Sequence, residues 1–262
     1  MKSPLGLAAK LIVMSGVAAM GLAVAAQPSK AYSIYTAYDP NGNPSVNLVS
    51  TTGIPNSQAA EASFLSGLVG TGTETFESFS TGASAPLALV FPGAGTATLN
   101  GTGTIQSVPA GSTNGFGRYG VSPTNYWEVD AGATNNFDIG FSKPVAAFGF
   151  YGIDIGDFAG TLSLTFDNGS VLTQTIPTAP QVQADGSVLY WGIKTTPAEG
   201  EFTKISFNST AGTGDVFAFD NMTIGSREQV KPDVPGPLPL LGVGIAFGYS
   251  RSLRRRIKTS NR

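Results

Sequence analysis

The strongest constraint on the fold is the alternation of apolar and polar residues that runs through most of the chain after Glu74. In residues 161–172 the alternation is interrupted by Asp167-Asn168-Gly169, a sequence that favours a tight turn between paired strands. Side chains of a β-strand point to opposite faces with a period of two, so alternation of this kind indicates a strand with one buried face. The segment therefore predicts a β-hairpin.

Alternating segments recur along the chain and are separated by Pro, Gly and Asn-Gly turn signals. We predict further strands at residues 75–79, 87–91, 96–105, 126–129, 137–141, 145–153, 188–194, 202–207 and 216–224. No helical pattern is interleaved with them, which excludes a parallel sheet. The sequence therefore predicts an all-β fold, a two-sheet antiparallel β-sandwich, for which we favour a jelly roll.

One short helix is expected ahead of the strands. Asn56 and Ser57 are capping residues, and residues 58–68 carry Phe64, Leu65 and Leu68 on one stripe. We place the sandwich domain at residues 56–225. Residues 27–55 are expected to be an irregular lead-in, and residues 226–237 to be a linker that includes the start of a sorting motif.

Composition narrows the possible chemistry. The 262 residues include no Cys and no His, so Cys nucleophiles, Ser-His machinery, ordinary zinc sites and disulfides are excluded. Charged residues make up 12% and the net charge is -2, which does not favour nucleic acid as a partner. Carboxylates and hydroxyls remain, and they suit oxygen-ligated Ca²⁺ or glycoside hydrolysis by two carboxylates.

The N-terminus has the pattern of a secretory signal peptide. Lys2 and Lys10 precede an apolar run at residues 11–25, and small residues around Ala25 and Ala26 fit cleavage by signal peptidase. The alternative is an uncleaved anchor, for which the apolar run is short, because a span needs about 20 residues. We predict a signal peptide at residues 1–26.

The C-terminus has three parts. A Pro-rich spacer at residues 233–239 leads into an apolar stretch at residues 240–249, and Arg254, Arg255 and Arg256 follow. Basic residues are retained on the cytoplasmic side, so the stretch would pause in the inner membrane with the domain outside. The stretch is too short for a comfortable permanent span, which favours a temporary anchor that a processing enzyme removes. The alternative is a basic tail without a sorting role.

This tail resembles a PEP-CTERM sorting signal, the C-terminus recognised by exosortases in Gram-negative bacteria that make extracellular polysaccharide. Pro235-Gly236-Pro237 lies where the family has Pro-Glu-Pro, so the cleaved bond stays open. The resemblance covers about the last 25 residues, with the hydrophobic segment and basic tail at residues 238–262. It implies transient anchoring in the inner membrane, processing by an exosortase-type enzyme, and final residence at the cell surface or in the extracellular matrix.

Two carboxylates are candidate metal ligands. Asp220 shares strand parity with apolar Ala218 and Met222, and a carboxylate on an apolar face needs a partner. Glu77 lies between aromatic residues near the start of the domain. The first and last strands of a sandwich are commonly neighbours, so the two carboxylates could share one cation. The alternative is that each accepts hydrogen bonds at a strand end.

The pairing of Glu77 with Asp220 resembles the structural calcium site of jelly-roll carbohydrate-binding modules, in which a first-strand Glu and a last-strand Asp bind Ca²⁺. Asp154 and Asp157 follow an apolar strand around Gly156 and are reserve ligands. Aspartates in such a loop also make ordinary Asx turns.

The aromatic-rich positions of the chain are candidate sugar contacts, because Tyr and Trp rings are apolar with polar edges. The candidates are Arg118, Tyr119, Tyr126, Trp127, Tyr190 and Trp191. Each Trp follows a Tyr of opposite strand parity, so we expect one residue of each pair to face solvent. The alternative is that all these rings are core.

The leading functional hypothesis is a non-catalytic interaction or adhesion module of the cell envelope or polysaccharide matrix. The alternatives are a calcium-stabilised carbohydrate-binding protein and a glycoside hydrolase, for which Glu77, Glu128 and Asp130 are nominal carboxylates and residues 111–125 a nominal active-site loop. An exposed aromatic pair would favour glycan binding, a deep acidic cleft catalysis, and a uniformly polar surface a structural matrix role.

Overall fold

A computed structural model of the chain describes residues 32–40, 42–43, 48–49, 53–130, 137–155, 160–177, 186–209 and 216–232. They all belong to one compact unit, Ala31–Arg262. The predicted signal peptide, the sorting tail with Pro235, Gly236 and Pro237, and Asp157 lie outside the described residues. Within the described ranges, no helix has the length and apolar character needed to cross a membrane.

The secondary structure of the described ranges is dominated by strands. In chain order the elements are β1 Tyr32–Asp39, β2 Gly42–Asn43, β3 Leu48–Val49, α1 Pro55–Ser66, β4 Thr73–Glu74, β5 Leu87–Phe91, β6 Gly95–Gly101, β7 Thr104–Ser107, β8 Asn125–Asp130, β9 Phe137–Val145, β10 Ala147–Ile153, β11 Gly160–Phe166, β12 Val171–Thr175, β13 Val188–Thr195, β14 Phe202–Ser209, β15 Val216–Gly225 and a 3-10 helix Arg227–Gln229.

Thirteen of the strands form two antiparallel sheets, and β2 and β3 pair in a separate two-stranded sheet. A seven-stranded sheet has the order β1-β13-β10-β15-β8-β7 with β4 paired to β15, and a six-stranded sheet has the order β12-β11-β14-β9-β6-β5. The strands from β8 to β15 cross between the sheets at every connection except the β11–β12 hairpin. They give the orders β13-β10-β15-β8 and β12-β11-β14-β9, which is jelly-roll connectivity. The predicted sandwich and hairpin are confirmed.

An aromatic core fills the space between the sheets. Strand β11 shows the predicted alternation, with every second residue buried. Phe150 of β10 meets Phe207 of β14 edge to face with ring centroids 5.4 Å apart, and Phe219 of β15 meets Phe137 of β9 in the same way at 5.7 Å. These rings come from both sheets. The apolar residues of the period-two pattern therefore form the contact between the two sheets.

The outer face of the seven-stranded sheet is also covered, so β10 and β13 are buried along their whole length. Helix α1 packs there through Phe64, whose side chain is fully buried. Gly149 and Gly192 make room for this ring, because a Cβ atom on either glycine would come within 2.9 Å of it. A second apolar cluster therefore forms outside the main core.

The expected helix is present, but its N-terminal cap differs from the prediction. The N-cap residue is Ile54, and its side chain makes no capping hydrogen bond. Instead the carboxylate of Asp39, at the end of β1, accepts hydrogen bonds from the backbone N–H groups of Asn56 at 3.3 Å and Ser57 at 2.7 Å. The cap is tertiary, so local sequence could not reveal it.

Three sequence predictions are wrong in detail. The lead-in expected at residues 27–55 contains β1, which pairs with β13 along its whole length. The strand expected at residues 75–79 is a turn, in which Phe76 has a positive φ of 62° and points into the core. The strand expected at residues 96–105 is divided between β6 and β7, which lie in different sheets.

The segment expected to be a linker begins as part of the domain. Gln229 is buried, and its side-chain amide donates hydrogen bonds to the carbonyl oxygens of Gly70 and Pro92 at 2.7 and 2.9 Å. Val230 also bridges to Leu68. The domain therefore continues to at least this residue.

Candidate functional site

Five of the sequence-predicted site residues lie in or contact one loop, residues 111–125, which leads from β7 into the first residue of β8: Glu77, Arg118, Tyr119, Asp154 and Asp220. We call it the 111–125 loop. It crosses the outer face of the seven-stranded sheet, where Tyr119 joins the second apolar cluster. Four carboxylates hold the loop in place. Glu128 and Asp154 bind its Arg118, Asp220 binds residues 121–122, and Glu77 binds residues 124–125.

Asp220 is fully buried and holds the loop at residues 121–122. Its carboxylate accepts hydrogen bonds from the backbone N–H groups of Val121 at 2.8 Å, Ser122 at 3.1 Å and Asn221 at 2.7 Å. The Ser122 hydroxyl donates to the same group. Burial raises the pKa of Asp220 well above its usual value, and these donors oppose the rise.

Glu77 holds the same loop three residues further on. It accepts hydrogen bonds from the backbone N–H groups of Thr124 at 2.9 Å and Asn125 at 2.7 Å, and from the Thr124 hydroxyl at 2.9 Å. The structure thus places both predicted calcium ligands, Glu77 and Asp220, against neighbouring parts of one loop. Both carboxylates accept hydrogen bonds, as the alternative to a shared cation predicts.

The calcium site itself stays a prediction. Asp154, a reserve ligand, pairs with Arg118. Among the residues that the structure describes, no group of three or more acidic side chains is placed to hold a metal ion.

Arg118 forms the charged centre of the site. Its Nε donates to Glu128 at 2.9 Å, and its Nη1 donates to Asp154 at 3.2 Å and to the carbonyl oxygen of Val216 at 2.9 Å. The three charged side chains are 7 to 22% exposed. Two carboxylates therefore compensate one guanidinium in a largely buried position, which fixes the loop to β8, β15 and the end of β10.

The aromatic residues predicted to contact sugar are buried. Tyr119, Tyr126, Trp127 and Trp191 are at most 3% exposed, and Tyr190 is 1% exposed. The expectation that one residue of each Tyr–Trp pair faces solvent is wrong. Each pair does point to opposite faces, but the Trp rings lie in the core between the sheets and the Tyr rings lie in the second cluster.

A part-buried polar contact that the sequence did not indicate ties α1 to the sheet. The Tyr151 hydroxyl donates to the carboxylate of Glu61 at 2.7 Å. Burial raises the pKa of both groups. The contact anchors the helix beside the rings of Tyr151 and Tyr190, whose centroids are 5.0 Å apart.

Phe116, at the tip of the 111–125 loop, was missed by the sequence predictions. It is 67% exposed, and it is the one aromatic side chain in the described ranges that is exposed rather than buried or half-buried. Its neighbours Gly115 and Gly117 both have a φ of 89°, a conformation that favours glycine. The signal in the sequence is an aromatic residue between two glycines.

The outer face of the six-stranded sheet presents short polar side chains on its central strands, and exposed Val90 and Val171 on its outermost strands, β5 and β12. Register places one row of them side by side across five strands: Asn100, Asp138, Ser206, Ser163 and Thr173. We call this row, together with Lys204 and Asn208 beside it, the polar face.

Hydrogen bonds link the side chains of the polar face to one another. The Asn100 amide donates to Asp138 at 2.9 Å, the Lys204 ammonium pairs with Asp138 at 3.0 Å, and the Asn208 amide donates to Ser163 at 3.1 Å.

A groove of about 390 Å³ lies near the end of the described chain. It is lined by Thr195, Thr196, Pro197, Arg227, Val230, Lys231 and Pro232. The lining holds two basic side chains and no carboxylate, so it lacks the acid pair of a glycosidase cleft.

Comparisons with known proteins give no family. No protein-family model matches the chain, and no curated protein matches it. Among solved structures, the CBM22-1 xylan-binding domain of Paenibacillus barcinonensis Xyn10C is 14% identical, with a TM-score of 0.34, over 61% of this chain and 94% of that one. The family 11 carbohydrate-binding module of Clostridium thermocellum Lic26A-Cel5E is 13% identical, with a TM-score of 0.27, over 60% and 95%. These likenesses are too distant to indicate function.

Proposed function

We propose that the chain is an exported, exosortase-sorted protein whose β-sandwich is a non-catalytic structural module of the extracellular polysaccharide matrix. The observation that carries the proposal is the polar face. Its hydroxyl and amide groups lie in rows across neighbouring strands, and its Asp138 and Lys204 compensate each other. A surface of this kind matches a hydrated, uncharged polymer, because sugar hydroxyls exchange hydrogen bonds with such groups through direct contacts and water.

The engagement of the acidic side chains supports a non-catalytic role. Glu77 accepts three hydrogen bonds from the 111–125 loop, and Glu128 accepts hydrogen bonds from Arg118 and Asn114. A glycosidase acid must present a proton to the scissile bond across an open cleft. Two of the three nominal catalytic carboxylates, Glu77 and Glu128, instead support the loop.

Binding at the polar face is tested by electrophoresis of the full chain through gels that contain a neutral polysaccharide, here hydroxyethylcellulose. Ser206→Glu adds a charge in the row of polar side chains that crosses the five strands, and we expect it to weaken retardation about tenfold, since it places an uncompensated charge against an uncharged polymer. Ser63→Glu, the same change on the exposed side of α1, is the matched control and should leave retardation unchanged. Equal retardation of both variants would contradict the proposal.

The sorting part of the proposal rests on the terminal segments and has its own test. Mass spectrometry of the protein recovered from the cell surface should find an N-terminus near Gln27 and a C-terminus near the Pro-rich spacer. Substituting Arg254, Arg255 and Arg256 by Ser should leave the C-terminus unprocessed. Recovery of the intact C-terminus from the wild type would overturn exosortase sorting and would leave the polar-face proposal standing.

A calcium-stabilised carbohydrate-binding module is the second candidate. The observation that favours it is that Glu77 and Asp220 bind adjacent parts of the same loop, residues 121–125. Calcium that bound only the folded state at a hundredfold excess over its dissociation constant would raise stability by about 2.7 kcal/mol.

A further inference from the structure

We propose that Phe116 is a second sugar contact, on the side of the sandwich opposite the polar face, and that the protein therefore cross-links polysaccharide chains. The inference rests on the proposed function and adds to it a site, a ligand class and a consequence. Its basis is one exposed ring, 67% accessible, held by a loop that is otherwise tied to the domain.

The loop tip is fixed around the ring. The Asn114 side-chain oxygen accepts hydrogen bonds from the backbone N–H groups of Phe116 at 3.0 Å and Arg118 at 3.2 Å. The backbone N–H of Asn114 donates to the carbonyl oxygen of Arg118 at 2.9 Å. Because Arg118 is itself bound to the sheet, the ring is preorganised in an exposed position, which lowers the entropic cost of binding.

The surroundings of the ring select a neutral sugar. The Arg118 guanidinium carbon lies 5.4 Å from the Phe116 centroid, and its charge is compensated by Glu128 and Asp154. Two carboxylates face one guanidinium there, so the site offers an apolar face with no net positive charge to attract an anion. A pyranose presents C–H groups to such a face, in the way that amphipathic rings use their apolar surfaces.

A protein or lipid partner fits this tip less well. Hot spots and membrane anchors need contiguous apolar area. The residues immediately around Phe116 are two glycines and Asn114, whose amide donates to Glu128. A single ring with a polar rim matches one sugar unit better than it matches an apolar surface.

The two surfaces lie on opposite sides of the domain. Arg118 anchors the loop to Glu128 on β8 and to the Val216 carbonyl on β15, both strands of the seven-stranded sheet. The polar face belongs to the six-stranded sheet. One molecule could therefore hold two polymer chains at once, with the gain in avidity that two linked contacts give.

The test uses the full chain and hydroxyethylcellulose, with affinity electrophoresis to measure binding and solution viscosity to measure cross-linking. We expect Phe116→Ala to weaken binding about tenfold and to abolish the rise in viscosity, whereas Phe116→Tyr keeps both. Val69→Ala removes another exposed apolar side chain, 56% accessible, and should change neither. Unchanged melting temperatures show that the variants are folded.

Each outcome decides between the two proposals. If the wild type binds and Phe116→Ala binds and cross-links equally well, the inference fails and the polar-face proposal stands. If Phe116→Ala loses binding and Ser206→Glu does not, the sugar contact at Phe116 stands, and the polar-face assignment and cross-linking through it fail. If the wild type is not retarded at all, both proposals fail.

Discussion

Replacing Asp220 by Ala should lower the stability of the domain more than any ordinary carboxylate substitution. The change removes the acceptor of three backbone N–H groups, those of Val121, Ser122 and Asn221. An unsatisfied buried donor costs about 1–3 kcal/mol. Val121 and Ser122 are half-buried, so water can partly replace the acceptor, and we use the lower end of that range for each group.

The expected loss is therefore about 3 kcal/mol, which corresponds to a fall in Tm of roughly 6–12 °C for a domain of this size. Urea unfolding of the full chain measures the free energy, and hydrogen exchange at the Val121 and Ser122 amides reports whether the loop opens locally. Asp138→Ala removes a partly exposed carboxylate and should cost less than about 1 kcal/mol. A loss below about 1 kcal/mol for Asp220→Ala would refute the role of Asp220 in holding the loop.

The pH dependence of Asp220 has a definite sign. Burial raises its pKa in the folded state above the ordinary value of 3.8, so the folded protein binds this proton more tightly than the unfolded chain does. Its contribution is therefore complete below about pH 4 and declines as the pH rises toward the folded pKa. The stability of the wild type relative to Asp220→Asn should fall with rising pH. A difference that grows with pH would show that the N–H donors outweigh burial.

Three further predictions concern the helix, the glycines and calcium. Asp39→Ala removes the tertiary cap of α1 and should cost about 1–2 kcal/mol in urea unfolding, whereas a loss near zero would contradict the capping role. Gly192→Ala places a Cβ atom 2.9 Å from the Phe64 ring and should cost about 1–3 kcal/mol, with Phe64→Leu relieving part of the loss in a double-mutant cycle; strict additivity would argue against the contact. Calcium, compared with EGTA, should raise the Tm of the wild type and not that of Glu77→Gln; no rise in the wild type would remove the calcium proposal.

The sandwich could be predicted because the alternation of core and surface residues can be recognised within a single strand. In β11 every second residue enters the core, and this pattern is visible without knowing the partner strand. The same logic failed at residues 75–79, where Phe76 and Phe79, three positions apart, enclose Glu77 and Ser78. There the chain turns, Phe76 adopts a positive φ, and both rings still reach the core side.

The site was predictable only in part, because its contacts depend on tertiary placement. The apolar neighbours of Asp220 correctly indicated a buried carboxylate that needs partners. Its partners come from a loop about a hundred positions earlier, and nothing local identifies them. The prediction that each Tyr and its neighbouring Trp point to opposite faces of the sheet was also correct. The prediction that one ring of each pair is exposed was wrong. A helix and a loop cover the outer face of the sheet, and strand periodicity carries no information about such a cover.

The pairing of β1 with β13 means that the first described strand is among the last that can join the sheet. Tyr32 pairs with Thr195 and Asp39 pairs with Val188, so the first described strand has no partner until the last third of the chain is available. Asp39 also caps α1, whose Phe64 rests on glycines of β10 and β13. A chain threaded N-terminus first through a membrane would therefore deliver its edge strand and helix long before their docking surface. Non-local pairing of this kind slows folding and leaves a strand edge exposed meanwhile.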